Sequence, residues 1–235
     1  MSAGTSPIHP ITHLAVDVQR MFLYDLGSER SRSFRAKIES FAKELKKYSV
    51  PTTWVAAYPN AYMDKAISSR PRSAVSEEEA KKLGLDGTSI SPDDNILVKY
   101  NADAFAAGVL AQDLRRTQTG TVVITGMNTT VCVLFSAISA VRAGLRCVIV
   151  TDMLADINYT SSQKSDPEWH KHALEREIGN FLGRKPNAKK LMSLIEYTTS
   201  DALLAALEPA PAKPAPAQNR ALFAGSPGGL ARIFG

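Results

Sequence analysis

The sequence predicts an α/β fold: a three-layer α/β/α sandwich built on a mainly parallel sheet of about six strands. The first reason is that short apolar segments rich in β-branched residues alternate with segments of helical spacing. The second is that segments 121–125 and 146–151 are apolar on both faces, as is typical of strands covered by helices on both sides.

Each predicted strand is a short run of β-forming apolar residues, and the strands cover residues 11–18, 50–57, 96–99, 121–125, 146–151 and 194–198. The predicted helices repeat apolar side chains at helical spacing and cover residues 31–48, 77–83, 104–115, 129–143, 166–181 and 200–207. Gly144 is well suited to end the fourth helix. Ligands of such folds bind beyond the carboxyl ends of the strands, which we expect at Asp17, Tyr58, Lys99, Gly126 and Asp152.

Composition limits the class of protein. A chain of 235 residues is long enough for one domain with a tail. It has no apolar run of the ~18 residues that a membrane-spanning helix needs, and its first residues lack a secretory signal. The two cysteines form no CxxC pair, so we expect a cytoplasmic protein without disulfides. The net charge of +5 comes from scattered residues, and no nucleic-acid-binding motif is present.

Three ionisable side chains follow predicted strands. Asp17 and Lys99 lie at the ends of the first and third strands, and Cys132 lies in the first turn of the helix after the fourth. A helix N-terminus and a nearby ammonium favour a thiolate, and a carboxylate can accept the thiol proton. These residues predict an activated cysteine nucleophile, whereas Cys147 lies within a core strand and is predicted to be structural.

Three sequence motifs resemble those of the isochorismatase-like cysteine hydrolases, in the same order and with fitting spacing. DVQRMF resembles the first motif, KYNADAF the second, and GMNTTVCVLFSAISAVRAGLRCVIVTDMLAD the third, which holds the nucleophile. The resemblance extends from about Pro10 to Leu207. Members of this family have a sheet of about six parallel strands and are usually dimers or tetramers, so we expect a homodimer or homotetramer.

The resemblance implies a role for each motif residue. Cys132 would be the nucleophile, Asp17 would take its proton and later give it to the leaving nitrogen, and Lys99 would orient Asp17 and stabilise the thiolate. A cis peptide bond would join Met127 to Asn128. The N–H groups of Asn128 and Cys132 would then form an oxyanion hole.

The residues that line the substrate pocket are less clearly marked. Gln19 and Phe22, from the first motif, are expected to shape the pocket floor. The guanidinium of Arg70 would suit a substrate carboxylate. Further polar or aromatic side chains that could reach a substrate are Trp54, Tyr58, Asn60 and Tyr159.

The sequence lacks the metal-binding pattern of some relatives. Family members of the nicotinamidase type bind a divalent metal through an Asp-x-His motif and further histidines after the second strand. The corresponding stretch here, WVAAYPNAYMDKAISSR, contains no histidine. His170 and His172 are two residues apart on a predicted helix, so they do not share a face, and His9 and His13 lie elsewhere. We therefore expect no metal and no other cofactor.

These features predict hydrolysis of a C–N bond in a small amide or ureido compound, of the biuret, ureidoacrylate or N-carbamoyl type, through an acyl-enzyme on Cys132. Isochorismatases proper, which cleave a vinyl ether, commonly lack this cysteine. Such an isochorismatase, and a non-catalytic or partner-directed scaffold protein of the same fold, are the alternatives. A nucleotide-binding Rossmann enzyme is excluded because no GxGxxG follows the first strand.

The composition changes after Glu208. We expect a hydrolase domain over residues 1–208, a Pro/Ala linker over 209–219 and an apolar, basic peptide over 220–235. The arrangement resembles the peptides that load enzymes into bacterial protein compartments. We therefore expect the peptide to bind a shell or scaffold protein in such a compartment, with a disordered end or packing on a neighbouring subunit as alternatives.

Overall fold

The computed structural model describes residues 10–58, 68–106, 108–157 and 166–208. Within these residues the strands form one seven-stranded sheet in the order β3-β4-β2-β1-β5-β6-β7. The strands are β1 (Ile11–Val16), β2 (Thr52–Ala57), β3 (Ser68–Pro71), β4 (Asn95–Lys99), β5 (Thr121–Met127), β6 (Arg146–Ala155) and β7 (Ile195–Thr198). All neighbouring pairs are parallel except β3 with β4. The predicted helix-covered, mainly parallel sheet is confirmed.

The strand missing from the prediction is β3, with the sequence SSRP. It has no run of apolar residues and ends in proline, so its composition does not indicate a strand. It is the edge strand of the sheet, antiparallel to β4, and a proline is tolerated there because one side of an edge strand needs no ladder partner.

The helices cover both faces of the sheet, and no described helix is both long and apolar enough to cross a membrane. They are α1 (Arg20–Leu23), α2 (Ser28–Lys46), α3 (Glu77–Lys82), α4 (Val109–Arg116), α5 (Leu134–Arg142), α6 (Pro167–Leu182), α7 (Ala188–Met192) and α8 (Ser200–Leu207). One apolar cluster lies between the sheet and α4, α5 and α6, and the other lies under α2, α3 and α8.

The strand β6 is longer than predicted, so its carboxyl end, where ligands of such folds bind, lies further along the chain. It runs to Ala155 instead of residue 151, with an irregular register against β5 between Ile124 and Gly126. We expected Asp152 at the end of this strand, but it lies within the strand. Its carboxylate accepts hydrogen bonds from the Ser200 N–H at 2.8 Å and the Ser200 hydroxyl at 2.6 Å, which anchors the start of α8.

A buried histidine links three strands at the middle of the sheet. His13 on β1 is fully buried, with Nδ1 3.1 Å from Thr52 Oγ1 and Nε2 2.8 Å from Thr125 Oγ1. Burial lowers the pKa of His13 to about 3, so the ring is neutral at physiological pH. Both ring nitrogens have hydroxyl partners, which is the condition under which a polar side chain can be buried at low cost.

Candidate active site

Asp17, Lys99 and Cys132 come together at the carboxyl edge of the sheet. Asp17 follows β1, Lys99 ends β4, and Cys132 follows β5. The Lys99 ammonium forms an ion pair with Asp17 Oδ2 at 2.8 Å, and the Cys132 thiol lies within hydrogen-bonding range of both side chains. All three are buried, with exposed fractions of 1%, 1% and 8% in chain order. The arrangement places a thiol, a carboxylate and an ammonium in one enclosed cluster.

The turn at Asp17 aims its carboxylate into the cluster. β1 ends at Val16, two residues before the predicted end, and Asp17 has a left-handed backbone with φ of 52°. Aspartate tolerates this conformation better than most residues, and such sparsely populated conformations are concentrated at functional sites. The Asp17 N–H still donates to the Val55 carbonyl at 2.8 Å, while the Ala57 N–H donates to Asp17 Oδ1 at 3.2 Å.

Gly126 permits the close approach of β5 to this turn. Its φ is 112°, and a Cβ atom at this position would overlap the backbone oxygen of Val16 and lie 2.7 Å from the Val16 nitrogen. A side chain at residue 126 would therefore push β5 away from the residue directly before Asp17. The glycine after the fourth predicted strand is thus required by packing at the site itself.

Gln19 holds the end of β2 in place. Its Oε1 accepts from the Ala57 N–H at 2.8 Å, and its Nε2 donates to the Ala57 carbonyl at 2.8 Å and to the Leu83 carbonyl. Both Oε1 and Nε2 of Gln19 are hydrogen-bonded to backbone groups. We expected Gln19 to shape the pocket floor, but these contacts give it a positioning role instead. Ala57 is also the residue whose N–H contacts Asp17.

The Lys99 ammonium is held by the loop that follows it. It donates to the Asn101 carbonyl at 3.0 Å and to the Ala102 carbonyl at 3.4 Å, in addition to its contact with Asp17. A lysine can be buried at this depth because its charge is paired and its donors have acceptors.

Asp103 and two serines, which the sequence reasoning missed, fasten this loop to α5. Ser139 Oγ donates to Asp103 Oδ2 at 2.7 Å, and Asp103 Oδ1 accepts from the Phe105 N–H at 2.9 Å. The Ala104 N–H donates to Ser136 Oγ at 3.1 Å. The available signal was the spacing of two serines, three apart, on a helix that is otherwise apolar.

Cys132 lies on a single π-helical turn, Thr129–Val133, that precedes α5. The sequence predicted a regular α-helix from residue 129, and periodicity does not distinguish one wide turn from an α-helical one. Such turns occur often at functional sites. The peptide bond between Met127 and Asn128 is cis, as the family resemblance implied.

The residues that hold the π-turn come from β6 and α6. Asp156, which follows β6, accepts from the Thr130 N–H at 2.9 Å and the Thr130 hydroxyl at 2.8 Å. Thr129 Oγ1 lies 3.1 Å from the Ala155 carbonyl and 2.8 Å from His170 Nδ1. Asp156 and His170 are fully buried, and the sequence reasoning assigned neither of them a role at the site.

Burial and charge determine which member of the cluster carries the proton. Burial, and then the Asp17 carboxylate, raise the pKa of Cys132 to about 12, which Lys99 only partly offsets. The thiol therefore carries a proton at neutral pH, which is the proton that Asp17 is expected to accept. Burial also raises the pKa of Asp17 above its ordinary value, although Lys99 opposes the shift. Burial lowers the pKa of Lys99, but Asp17 and Cys132 outweigh it and the net direction is upward.

The predicted pocket residues are distributed differently. Trp54 is buried in the core, where its Nε1 donates to Asp94 Oδ2 at 3.1 Å, so the expectation that it contacts a substrate is wrong. The Arg70 guanidinium on β3 forms an ion pair with Glu79 on α3, so a carboxylate of the chain itself already partners the group expected to bind a substrate carboxylate.

Tyr58 and Phe22, two further aromatic residues of the prediction, are half-buried. Tyr58, directly after β2, lies 5.9 Å from Tyr100 between ring centroids, and Phe22 packs at the margin of the same apolar cluster as Tyr58. Asn60 and Tyr159 lie outside the described residues. Tyr58 and Phe22 therefore remain the candidates for contact with a substrate.

Among the described residues, no group of three or more His, Cys, Asp or Glu side chains is arranged to hold a metal ion. His170 is buried against Thr129, while His172 on the same helix is largely exposed, so the two point in different directions. The second cysteine, Cys147, is fully buried on β6 and distant from the cluster in the register of the sheet.

The protein is an α/β protein with a buried thiol, carboxylate and ammonium at the carboxyl edge of its mainly parallel sheet. Comparison of its sequence with family models identifies the family. The family model of the isochorismatase domain matches residues 12–181. The chain therefore belongs to the isochorismatase-like hydrolase family. Comparison with curated proteins found no match.

Solved structures with the same fold include several hydrolases. A cysteine hydrolase from Pseudomonas syringae has a TM-score of 0.57 at 14% identity, covering 84% of this chain and 92% of its own. N-carbamoylsarcosine amidase from Thermoplasma acidophilum has a TM-score of 0.55 at 18% identity, covering 82% and 97%. Pyrazinamidase from Pyrococcus horikoshii, in complex with zinc, has a TM-score of 0.52 at 17% identity, covering 80% and 98%. At these sequence identities the likeness shows a shared fold and nothing more specific.

Proposed function

We propose that this protein hydrolyses a C–N bond in a small amide or ureido compound through a covalent intermediate on Cys132. The observation that carries the proposal is the enclosed contact of a protonated thiol with a carboxylate and an ammonium. The amidases among the structural neighbours support the choice of a C–N bond. The ureido preference rests on the resemblance of the motifs to metal-independent members of the family.

The proton of the thiol is the first to move. Since the pKa of Cys132 is raised to about 12, attack requires a base, and Asp17 is the carboxylate in contact with it. As Sγ bonds to the substrate carbonyl carbon, the thiol proton passes to Asp17. When the C–N bond breaks, that proton goes to the leaving nitrogen, which departs as ammonia or an amine.

Water completes the cycle by the reverse proton path. Asp17 takes a proton from a water molecule that attacks the acyl carbon, the C–S bond breaks, and the proton returns to the sulfur. Lys99 remains charged throughout, because Asp17 and Cys132 hold its pKa above the ordinary value. Its ammonium offsets negative charge on whichever of the two side chains lacks the proton.

The oxyanion of the tetrahedral intermediate needs donors that are already in place. We assign this role to the N–H groups of Asn128, which directly precedes the π-turn, and of Cys132, which lies within it. Asn128 Oδ1 accepts from the Ile157 N–H at 3.2 Å, which ties the donor segment to the end of β6. Removal of one such donor typically reduces kcat by ~10²–10³-fold.

We further propose that the reaction is metal-independent. The support is chemical, because residues 54–70 offer no imidazole to a divalent ion. Dialysis against a chelator, followed by metal analysis and assay, should leave the rate unchanged. Recovery of a lost rate on addition of zinc, iron or manganese would overturn this part of the proposal.

A substrate panel with two matched variants tests the function. The wild type is assayed for ammonia release from N-carbamoyl amino acids, ureidoacrylate, biuret and simple amides, and for formation of the carbonyl product from a vinyl ether. Cys132→Ser and Cys147→Ser then separate the thiol at the cluster from the thiol in the core. We expect Cys147→Ser to retain turnover and Cys132→Ser to lose it.

Intact-mass spectrometry of the quenched reaction tests the intermediate directly. We expect an acyl adduct on the wild type and on Cys147→Ser, and none on Cys132→Ser. Activity confined to the vinyl ether would favour an isochorismatase, and a fully active Cys132→Ser variant would exclude covalent catalysis at this position.

A further inference from the structure

A groove lies at the amino end of the sheet, at the opposite edge from Asp17, Lys99 and Cys132. It occupies about 1190 Å³ between the C-terminal end of α2 and helix α8, over the strands β1, β5 and β6. Its lining includes the apolar side chains Ile11, Tyr48, Val123, Val148, Leu203 and Leu207.

Helix α8 has more apolar surface than its neighbours cover. Its sequence is SDALLAAL, and only Ser200 among its residues is buried. The three leucines are half-buried at the margin of the core cluster, while Ala202 and Ala206 are exposed and line the groove. A helix of this composition normally buries one apolar face completely. The groove side of α8 therefore has room for a further apolar segment.

Two segments of the chain start at the groove. Pro10 and Glu208, which both line it, adjoin residues 1–9 and 209–235, and neither segment belongs to the described residues. The first, MSAGTSPIH, contains few large apolar side chains. The second is richer in them, with Leu222, Phe223, Leu230, Ile233 and Phe234. Apolar chemistry therefore favours the C-terminal segment as the occupant.

The linker is long enough for docking within the same chain. The groove extends from Pro51, before β2, to Glu196 on β7, which is four inter-strand spacings or ~19 Å. Residues 209–219, extended at ~3.1 Å per residue, span ~34 Å. Residues 220–235 can thus reach every part of the groove, and tethering gives them an effective concentration in the millimolar range.

We propose that this groove is the docking site of the chain's own C-terminal segment, residues 209–235, whose apolar side chains cover the exposed face of α8. Docking removes apolar surface from water on both sides, which is the main favourable contribution to such contacts. Arg220 and Arg232 lie among the apolar residues of the segment. Trypsin cleaves after arginine, so the rate of cleavage at these two positions reports whether the segment is docked.

Limited trypsin digestion with a matched pair of variants tests the proposal. Ala205 and Ala206 are adjacent and exposed on α8, but only Ala206 lines the groove. We expect wild type and Ala205→Gln to be cut slowly after Arg220 and Arg232. Ala206→Gln should be cut about tenfold faster, the change that follows from weakening the contact by ~1.4 kcal/mol. Equal cleavage rates in the three proteins would overturn the proposal.

A second measurement uses a labelled peptide of residues 217–235 and a chain that ends at Glu208. We expect the peptide to bind this shortened chain and its Ala205→Gln variant, and to bind its Ala206→Gln variant and the full chain more weakly. Absence of binding to the shortened chain would overturn the proposal. A smaller oligomer after truncation would assign the segment to a neighbouring copy, and a segment cut freely until a shell protein is added would assign it to that partner. Either result excludes docking within one chain.

Discussion

The two edges of the sheet differ in how their side chains are satisfied. At the carboxyl edge, polar side chains are buried, and each donor that holds the cluster has an acceptor supplied by a neighbouring loop. At the amino edge, apolar side chains of α8 remain half-covered along a wide groove. Buried polar groups require exact partners, whereas apolar surface requires only that something cover it. The first edge is therefore specified within the domain, and the second accepts a separate segment.

The largest effect is expected from removal of the thiol at the carboxyl edge. Cys132→Ala should abolish turnover, since no other described thiol contacts Asp17, while the protein stays folded. Steady-state assay and thermal unfolding measure the two effects. Cys147→Ala is the control: it removes a buried side chain of the same size from β6 without touching the cluster, so it should be destabilised at least as much and keep its turnover. An active Cys132→Ala protein would break the assignment.

Loss of the base is the next largest effect. Asp17→Asn keeps the shape of the side chain but cannot take the thiol proton, so kcat should fall by ~10²–10⁴-fold. Asp152→Asn is the matched control, because Asp152 anchors α8 and does not contact the cluster. We expect that control to reduce stability and leave the rate intact. Equal rates for the two variants would remove Asp17 from the mechanism.

A pair of glycines tests whether backbone packing at the carboxyl edge is as demanding as its polar contacts. Gly126→Ala should destabilise the fold, by ~3 kcal/mol or more, because its Cβ would overlap the Val16 backbone. Gly144 also has a positive φ, of 85°, but a Cβ there meets nothing within 4 Å. Gly144→Ala should therefore cost only the conformational strain, ~1 kcal/mol. Chemical denaturation measures both, and similar losses would contradict the close approach.

The pH dependence of kcat/KM reports the protonation of the cluster. A protonated Asp17 cannot accept the thiol proton, so the rate should fall as the pH falls through the pKa of this residue. Because burial raises that pKa above 3.8, the inflection should lie above 3.8. Lys99 stays charged on the alkaline side, since its pKa is raised above 10.5. A rate that is constant down to the ordinary range of an aspartate would contradict the raised pKa.

The smallest effect on catalysis is expected at the amino edge. A chain ending at Glu208 should keep its kcat/KM, because the groove lies at the opposite edge from Cys132 and every motif residue precedes Glu208. Its thermal stability should fall if the segment covers α8. An enzyme that loses its activity on truncation would show that the two edges are coupled.

By itself, the sequence determined the fold class, the order of the main strands and helices, and the identity of the three clustered side chains. The alternation of apolar segments is a local property of the sequence. It can be recognised without the structure because each strand and helix must bury one or both faces. The motifs around Asp17, Lys99 and Cys132 could be recognised for a similar reason, because the residues of each motif are contiguous in the chain.

Only the tertiary structure decided how these parts meet. The left-handed turn at Asp17, the π-turn at Cys132 and the extension of β6 depend on contacts between residues far apart in sequence. The same holds for Trp54 and Arg70, whose partners Asp94 and Glu79 lie on other elements. The proton on the thiol has the same origin: pKa values follow burial and neighbouring charges, and both are properties of the folded chain rather than of any local stretch of it.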